Sequence, residues 1–213
     1  RSLWGQVTTE ETTMANQDAP FGLRPLKMVG QGDDSTGMSS HFIDAGDAST
    51  IFQGSPVIAA AGYIDIAAAG SVPNMGAFWG CFYVDPTTLK PTFKNYYPGS
   101  ITPPSSKDIE AFVYDNPNQM FEIQSDNDGA SALADVFSNA DLINFGGSTL
   151  NGVSTAELDD STIAAASDAA AQVLIIGISR DPKNNEVGSA NVNWRVLINQ
   201  HLFGHGAGAV GAG

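Results

Sequence analysis

Along much of this chain the apolar positions recur at every second residue, the period of a strand with one buried face. Residues 192–199 are the clearest case. Val192, Trp194, Val196 and Ile198 share one face, while Asn193, Arg195 and Asn199 mostly fill the other. Residues 173–178 are apolar at nearly every position, which predicts a strand buried on both faces. Between these two runs lies Asp181-Pro182-Lys183-Asn184-Asn185-Glu186-Val187-Gly188, rich in turn formers, so the pair predicts a hairpin with a long loop. Phe121 and Ile123 alternate with Glu122 and Gln124 and follow residues 111–114 across Asp115-Asn116-Pro117-Asn118, which predicts a second hairpin. Residues 77–84 form an aromatic and apolar strand ended by Asp85-Pro86, and residues 56–66 read as two weaker strands broken at Gly62.

One stretch follows the helical period instead. Leu133, Val136, Phe137 and Ala140 are spaced for one helical face over 132–142, with Ser131 placed to cap it. Ser154 and Glu157 have the spacing of a capping box. The Ala-rich run that follows at 164–171 is broken by Asp and Ser and lacks an apolar stripe, so it reads as loop with at most a single helical turn. Both ends look extended: residues 1–50 are polar and punctuated around 30–37, and the Gly/Ala tail buries too little to fold alone. Together the elements predict an all-β fold, a compact barrel or sandwich with one or two short helices at most. The expected organisation is an extended N-terminal arm over 1–39, a β-rich core domain over 40–203 and a flexible tail over 204–213.

Charge narrows the partners. Charged residues make up 15% of the chain, against about 25% in an average globular protein. The balance is 23 acidic to 9 basic, a formal net charge of -14. Such a surface repels phosphate backbones and anionic lipid heads, and no run of Lys and Arg offsets it, so neither nucleic acid nor membrane is an expected partner. No stretch approaches the ~20 apolar residues of a membrane-spanning helix. No basic segment leads into an apolar core at the start, so no secretory signal is expected. The first Met is Met14, and the origin of residues 1–13 stays open. Cys81 is the single cysteine; it lies in an apolar run and reads as a small buried hydrophobe.

Candidate chemistry is sparse. His201 and His205 are four apart, but glycines flank His205 and His41 is far away in sequence, so three or four zinc ligands do not assemble. Asp126-Asn127-Asp128-Gly129 begins like a calcium loop but lacks the later oxygen ligands, and reads as a turn. Gly30-x-Gly32 lacks a third glycine, and neither a phosphate-binding loop nor a Gly-x-Ser-x-Gly elbow occurs. Asp108 with Glu110, and Asp159 with Asp160, read as solvated loop carboxylates. The expectation is a non-enzymatic protein with no metal and no cofactor.

Several segments carry a likeness: residues 18–25 (Asp-Ala-Pro-Phe-Gly-Leu-Arg-Pro), Gly54-Ser55-Pro56-Val57, Gly76-Ala77-Phe78-Trp79-Gly80-Cys81, Asp115-Asn116-Pro117 leading to Phe121-Glu122-Ile123-Gln124, and Asn199-Gln200-His201. From Met14 onward the chain resembles small virion proteins of tailed bacteriophages, especially marine ones, of the capsid decoration or cement type. Residues 1–13 and the tail lie outside the likeness. The resemblance implies a structural protein at the capsid surface of a virion, a homotrimer that binds the major capsid protein and stabilises its lattice. Phe21, Leu23, Arg24, Pro25 and Leu26 are the candidate partner-binding residues, as part of an arm that docks on a neighbour. The same run also reads as an ordinary strand packed on the chain's own core. A second reading is a carbohydrate- or receptor-binding virion module using Tyr96, Tyr97 and Trp79. A third is a virion-borne hydrolase using His201 or the acidic loops.

Overall fold

The computed structural model describes residues 16–29, 37–163 and 170–204. Among these the strands in chain order are β1 (Arg24–Met28), β2 (Met38–Ile43), β3 (Pro56–Ala60), β4 (Tyr63–Ile66), β5 (Asn74–Val84), β6 (Pro91–Lys94) and β7 (Ile109–Tyr114). There follow β8 (Gln119–Gln124), β9 (Asn139–Ala140), β10 (Leu142–Ile143), β11 (Glu157–Leu158), β12 (Val173–Ile178) and β13 (Asn193–Ile198). One sheet runs β1-β8-β13-β12-β9; the other runs β2-β7-β5-β3-β4, with β6 pairing the far end of β5. β10 and β11 make a separate ladder. The paired strands are antiparallel and no sheet closes into a barrel, so the all-β expectation resolves to a sandwich-like fold.

The predicted β12–β13 hairpin is present, in register from Val173 opposite Ile198 to Ile178 opposite Trp194. Val192, Trp194, Val196 and Ile198 are buried as their alternation requires; each such side chain contributes roughly 1.5–3 kcal/mol through burial. β12 departs from expectation. Val173 and Ile175 are buried, but Leu174, Ile176 and Ile178 on its other face are half-buried. An unbroken apolar run therefore marks one covered face and one partly covered face here. The β3–β4 hairpin turns at Ala61 and Gly62, both with positive φ (50° and 90°), the combination that matches strand twist in a two-residue turn.

Two sequence expectations are corrected. β7 and β8 are not a hairpin: β7 pairs with β2 and β5, whereas β8 pairs with β1 and β13. The Asp115–Asn118 segment carries the chain from one sheet to the other, and turn-forming residues look the same in either role. The helix over 132–142 does not form. Leu133–Asp135 makes one 3-10 turn, the Asp135 carboxylate accepts the Ala132 N–H at 2.6 Å, and Phe137 takes φ 72°. Asn139 and Ala140 then pair with β12. Val136 and Ala140 pack inward while Leu133 and Phe137 are exposed, a division that a helix would not permit. Glu157 likewise lies in β11 rather than closing a capping box. No α-helix occurs among the described residues.

Two apolar clusters fill the interior. One gathers Phe121, Ile123, Leu142, Leu158, Ile175 and Trp194 around the five-stranded sheet and also takes in Ala77 and Tyr114 from the other sheet. The second gathers Ile43, Val57, Phe78, Cys81, Ile109 and Val113 on the inner face of the six-stranded sheet. Gln172 ties the halves together. Its buried amide donates to Ala68 O (3.1 Å) and Ser71 O (3.0 Å) and accepts from Gly70 N (3.3 Å) and Leu142 N (2.9 Å), which uses its full hydrogen-bonding capacity.

Candidate binding surface

The face of the six-stranded sheet that meets the other sheet's cluster at Tyr114 carries an aromatic row farther along. Strand alternation points Ile43, Ala111 and Cys81 inward and presents Phe42, Phe112 and Phe82 outward. The registers align Phe42 of β2, Glu110 of β7, Phe82 of β5 and Phe93 of β6 directly across four strands. Phe112 lies beside them, 6.3 Å from Phe93 between ring centroids. A Cβ on Gly80 would stand 2.7 Å from the Phe93 ring, so the glycine gives that ring room to lie over the strand. Phe42, Phe82 and Phe93 are 51%, 39% and 54% exposed. Next to the row, Pro103, Pro104, Lys107 and Asp108 join Phe42 and Phe82 around a groove of about 400 Å³. Ser40 holds the Glu110 carboxylate at 2.6 Å. Scattered apolar side chains are ordinary on a surface; a row of exposed rings, here Phe42, Phe82 and Phe93 with Glu110 between the first two, is the kind of patch that marks an interaction site. The sequence pattern did not isolate it, since Phe82 sits in a run that is apolar on both faces.

The N-terminal candidates lie elsewhere, and on this chain's own body. Leu23 is buried, and its N–H donates to Gly54 O at 2.8 Å. A Cβ on Gly22 (φ 71°) would lie 2.5 Å from that same oxygen, which explains the glycine. Arg24 pairs with Glu122 at 3.1 Å and stacks 3.9 Å from the Phe21 ring centroid. Pro25 and Leu26 are half-buried in β1, which pairs with β8. Phe21, Leu23, Arg24 and Pro25 line a hollow of about 320 Å³ with Phe78 and Trp79, while Leu26 faces a different one. Further upstream, the Asn16 amide donates to Glu186 O (3.0 Å) and Ala190 O (2.9 Å), and the Asn184 amide donates to Gln17 O (2.7 Å). Residues 24–28 thus form a strand, β1, paired on the chain's own β8, and the segment before it bonds to the same chain. The division at 39/40 falls inside β2. Residues 1–15, 30–36 and 205–213, including His205, lie outside the described residues.

The remaining candidates are dispersed. Tyr97 is fully buried and donates its hydroxyl to Asp47 O (2.8 Å), Tyr96 stacks on Phe52 (5.7 Å), and Trp79 packs edge-on against Tyr114 (5.6 Å). They form no common platform. His41 pairs with Asp115 at 2.8 Å, and no described hydroxyl or thiol hydrogen-bonds to His41 as a nucleophile would. His201 is buried, accepts the Phe203 N–H at 3.0 Å, and is held below the usual histidine range by desolvation, with Asp115 opposing. Among the described residues no cluster of three His, Cys, Asp or Glu side chains is placed to hold a metal ion.

The acidic loops differ from a solvated pair. Asp126 is buried, and its carboxylate accepts from Asp128 N and Asp160 N, both at 3.2 Å. Asp160 is half-buried, and burial pushes its carboxyl up to about 7; the neighbouring Asp126 charge adds to this and the Ser125 and Ser131 hydroxyls oppose it. Asp159 caps the following 3-10 turn through Ser161 N (3.0 Å). Asp108 accepts a hydrogen bond from the Tyr63 hydroxyl at 3.4 Å. No protein-family model, curated protein or solved structure matches this chain.

Proposed function

We propose that this chain is a non-enzymatic structural protein of a tailed-phage virion, a decoration protein that binds the outer surface of the major capsid lattice as a homotrimer. The observation that carries the reading is the Phe42–Phe82–Phe93 row, three exposed rings on one sheet face of a chain with a net charge of -14. Burying such a face yields about 25 cal/mol per Å² of apolar surface, which gives a lattice contact its driving force. The segments that resemble decoration proteins supply the identity of the partner.

Co-sedimentation with capsids assembled from the major capsid protein of the same phage tests the proposal. Wild type should pellet with the capsids, and Phe82→Ser/Phe93→Ser should stay in the supernatant with its fold intact by circular dichroism. Failure of wild type to pellet would overturn it. The groove beside the row supports the alternative, a carbohydrate- or receptor-binding module, because rings next to Asp108 and Glu110 pair a stacking surface with hydroxyl acceptors. Glycan-array hits abolished by Phe82→Ser would favour that reading, and a blank array would remove it.

A further inference from the structure

The sequence contains no basic run, yet the fold builds a basic site. Lys27 of β1, Arg180 beyond β12 and Arg195 of β13 line a hollow of about 520 Å³. These are three of the nine Lys and Arg residues in the chain. Two carboxylates share the site, Glu122 in the floor and Asp181 at the rim. Glu122 is already committed, to Arg24 at 3.1 Å and to the Ser179 hydroxyl. Arg195 donates Nε–H to Ile178 O at 3.0 Å, which fixes its fork. A Cβ on Gly177 would lie 2.6 Å from the Arg195 Nη2, so the glycine leaves space for the guanidinium. Among the described residues no carboxylate lies within ion-pair distance of Lys27, Arg180 or Arg195.

We infer that this hollow between β1, β8 and β13 is a binding site for the carboxylates of an acidic peptide segment. Guanidinium forks match carboxylate geometry, and in a chain of net charge -14 three cations in one hollow, none ion-paired among the described residues, are a local reversal of the field. The ligand is a polypeptide rather than a nucleic acid for two reasons. The chain's net charge of -14 repels a phosphate backbone that runs beyond the hollow, and Leu26 and Met120 offer an apolar wall for side-chain methylenes. The inference stands independently of the aromatic face.

Fluorescence anisotropy of the full chain with a labelled alternating Glu-Leu hexapeptide tests it, at low and moderate salt. The expected result is saturable binding that weakens with salt, disappears when Gln replaces Glu in the peptide, and falls about tenfold in Lys27→Gln/Arg180→Gln. Both substituted side chains are exposed, so the fold should survive, and circular dichroism checks this. Lys90→Gln and Phe82→Ser should bind as wild type. Absence of binding by the wild type, equal binding by the double variant, or displacement of the peptide by an eight-nucleotide oligothymidine at lower concentration than by unlabelled peptide would each overturn the inference.

Discussion

Asp160 shows how one side chain couples this fold to pH. In an unfolded chain the group titrates near 4, whereas burial beside Asp126 lifts it to about 7 in the folded protein. Between those values the folded state holds a proton that the unfolded state has released. Stability from this group is therefore fully present below about pH 4 and is lost as pH rises through about 7. Asp160→Asn removes the cost of the charge. After discounting for its half-exposed position, the substitution should add about 1 kcal/mol at pH 8 and little at pH 4, read from urea unfolding at both. A variant weaker than wild type at pH 8 would mean that the ionised carboxylate is an indispensable acceptor. Cys81 gives a second residue-scale expectation. Burial pushes its thiol up to about 12, with Lys94 opposing. At pH 8 a disulfide reagent should leave Cys81 unmodified in the native protein and label it on unfolding. The burial of Cys81 was legible from the apolar run around it, but the raised carboxyl was not. Asp126, Ser131 and Asp160 are brought together by β8, β11 and the loops beyond them, and no local pattern records that meeting.

At the scale of elements, two glycines separate backbone conformation from close packing. Gly62 has φ 90° with nothing within 4 Å of a Cβ, so Gly62→Ala should cost only the left-handed conformation, about 1 kcal/mol. Gly76 lies in β5 where a Cβ would fall 2.0 Å from Tyr114 O in β7. Gly76→Ala must push two central strands apart and should cost about 3 kcal/mol or more. Denaturant midpoints of the two variants check the ranking; equal midpoints would show that the sheet yields freely at Gly76. The β12–β13 hairpin and the two strands broken at Gly62 were readable because apolar alternation and turn residues follow one another directly along the chain. The pairing of β7 and β8 was not, since it depends on β1, β2, β5 and β13 competing for the same edges. The helix over 132–142 failed for a related reason. Its apolar spacing was a weak local preference, and the open edge of β12 offered Asn139 and Ala140 ladder bonds instead.

At the scale of the molecule, the proposed assembly has two signatures in solution. The aromatic row should bind the dye ANS in wild type, and Phe82→Ser/Phe93→Ser should abolish that signal while changing unfolding free energy by less than about 0.5 kcal/mol, as exposed positions do. Retained dye binding would place the exposed apolar surface elsewhere. Multi-angle light scattering over a range of concentrations reports the oligomer. A stable trimer is the expected result; a monomer at all concentrations would confine trimerisation to the capsid or remove it.

The sequence by itself determined the β class, the β12–β13 hairpin, the two strands broken at Gly62, the inward face of β13 and the acidic net charge. Each follows from period-two alternation, turn residues or a simple count, and so is set by neighbours along the chain. Tertiary structure alone decided which sheet received each strand, which side of β2, β5 and β7 met solvent, and where the few cations gathered. Lys27, Arg180 and Arg195 span most of the chain in sequence, and only the β1-β8-β13-β12 order sets them around one hollow. The row of Phe42, Phe82 and Phe93 likewise exists only through the register of four strands. Hydrophobicity fixes that a residue prefers burial; the number of faces that the fold has partners to cover fixes which residues go without it.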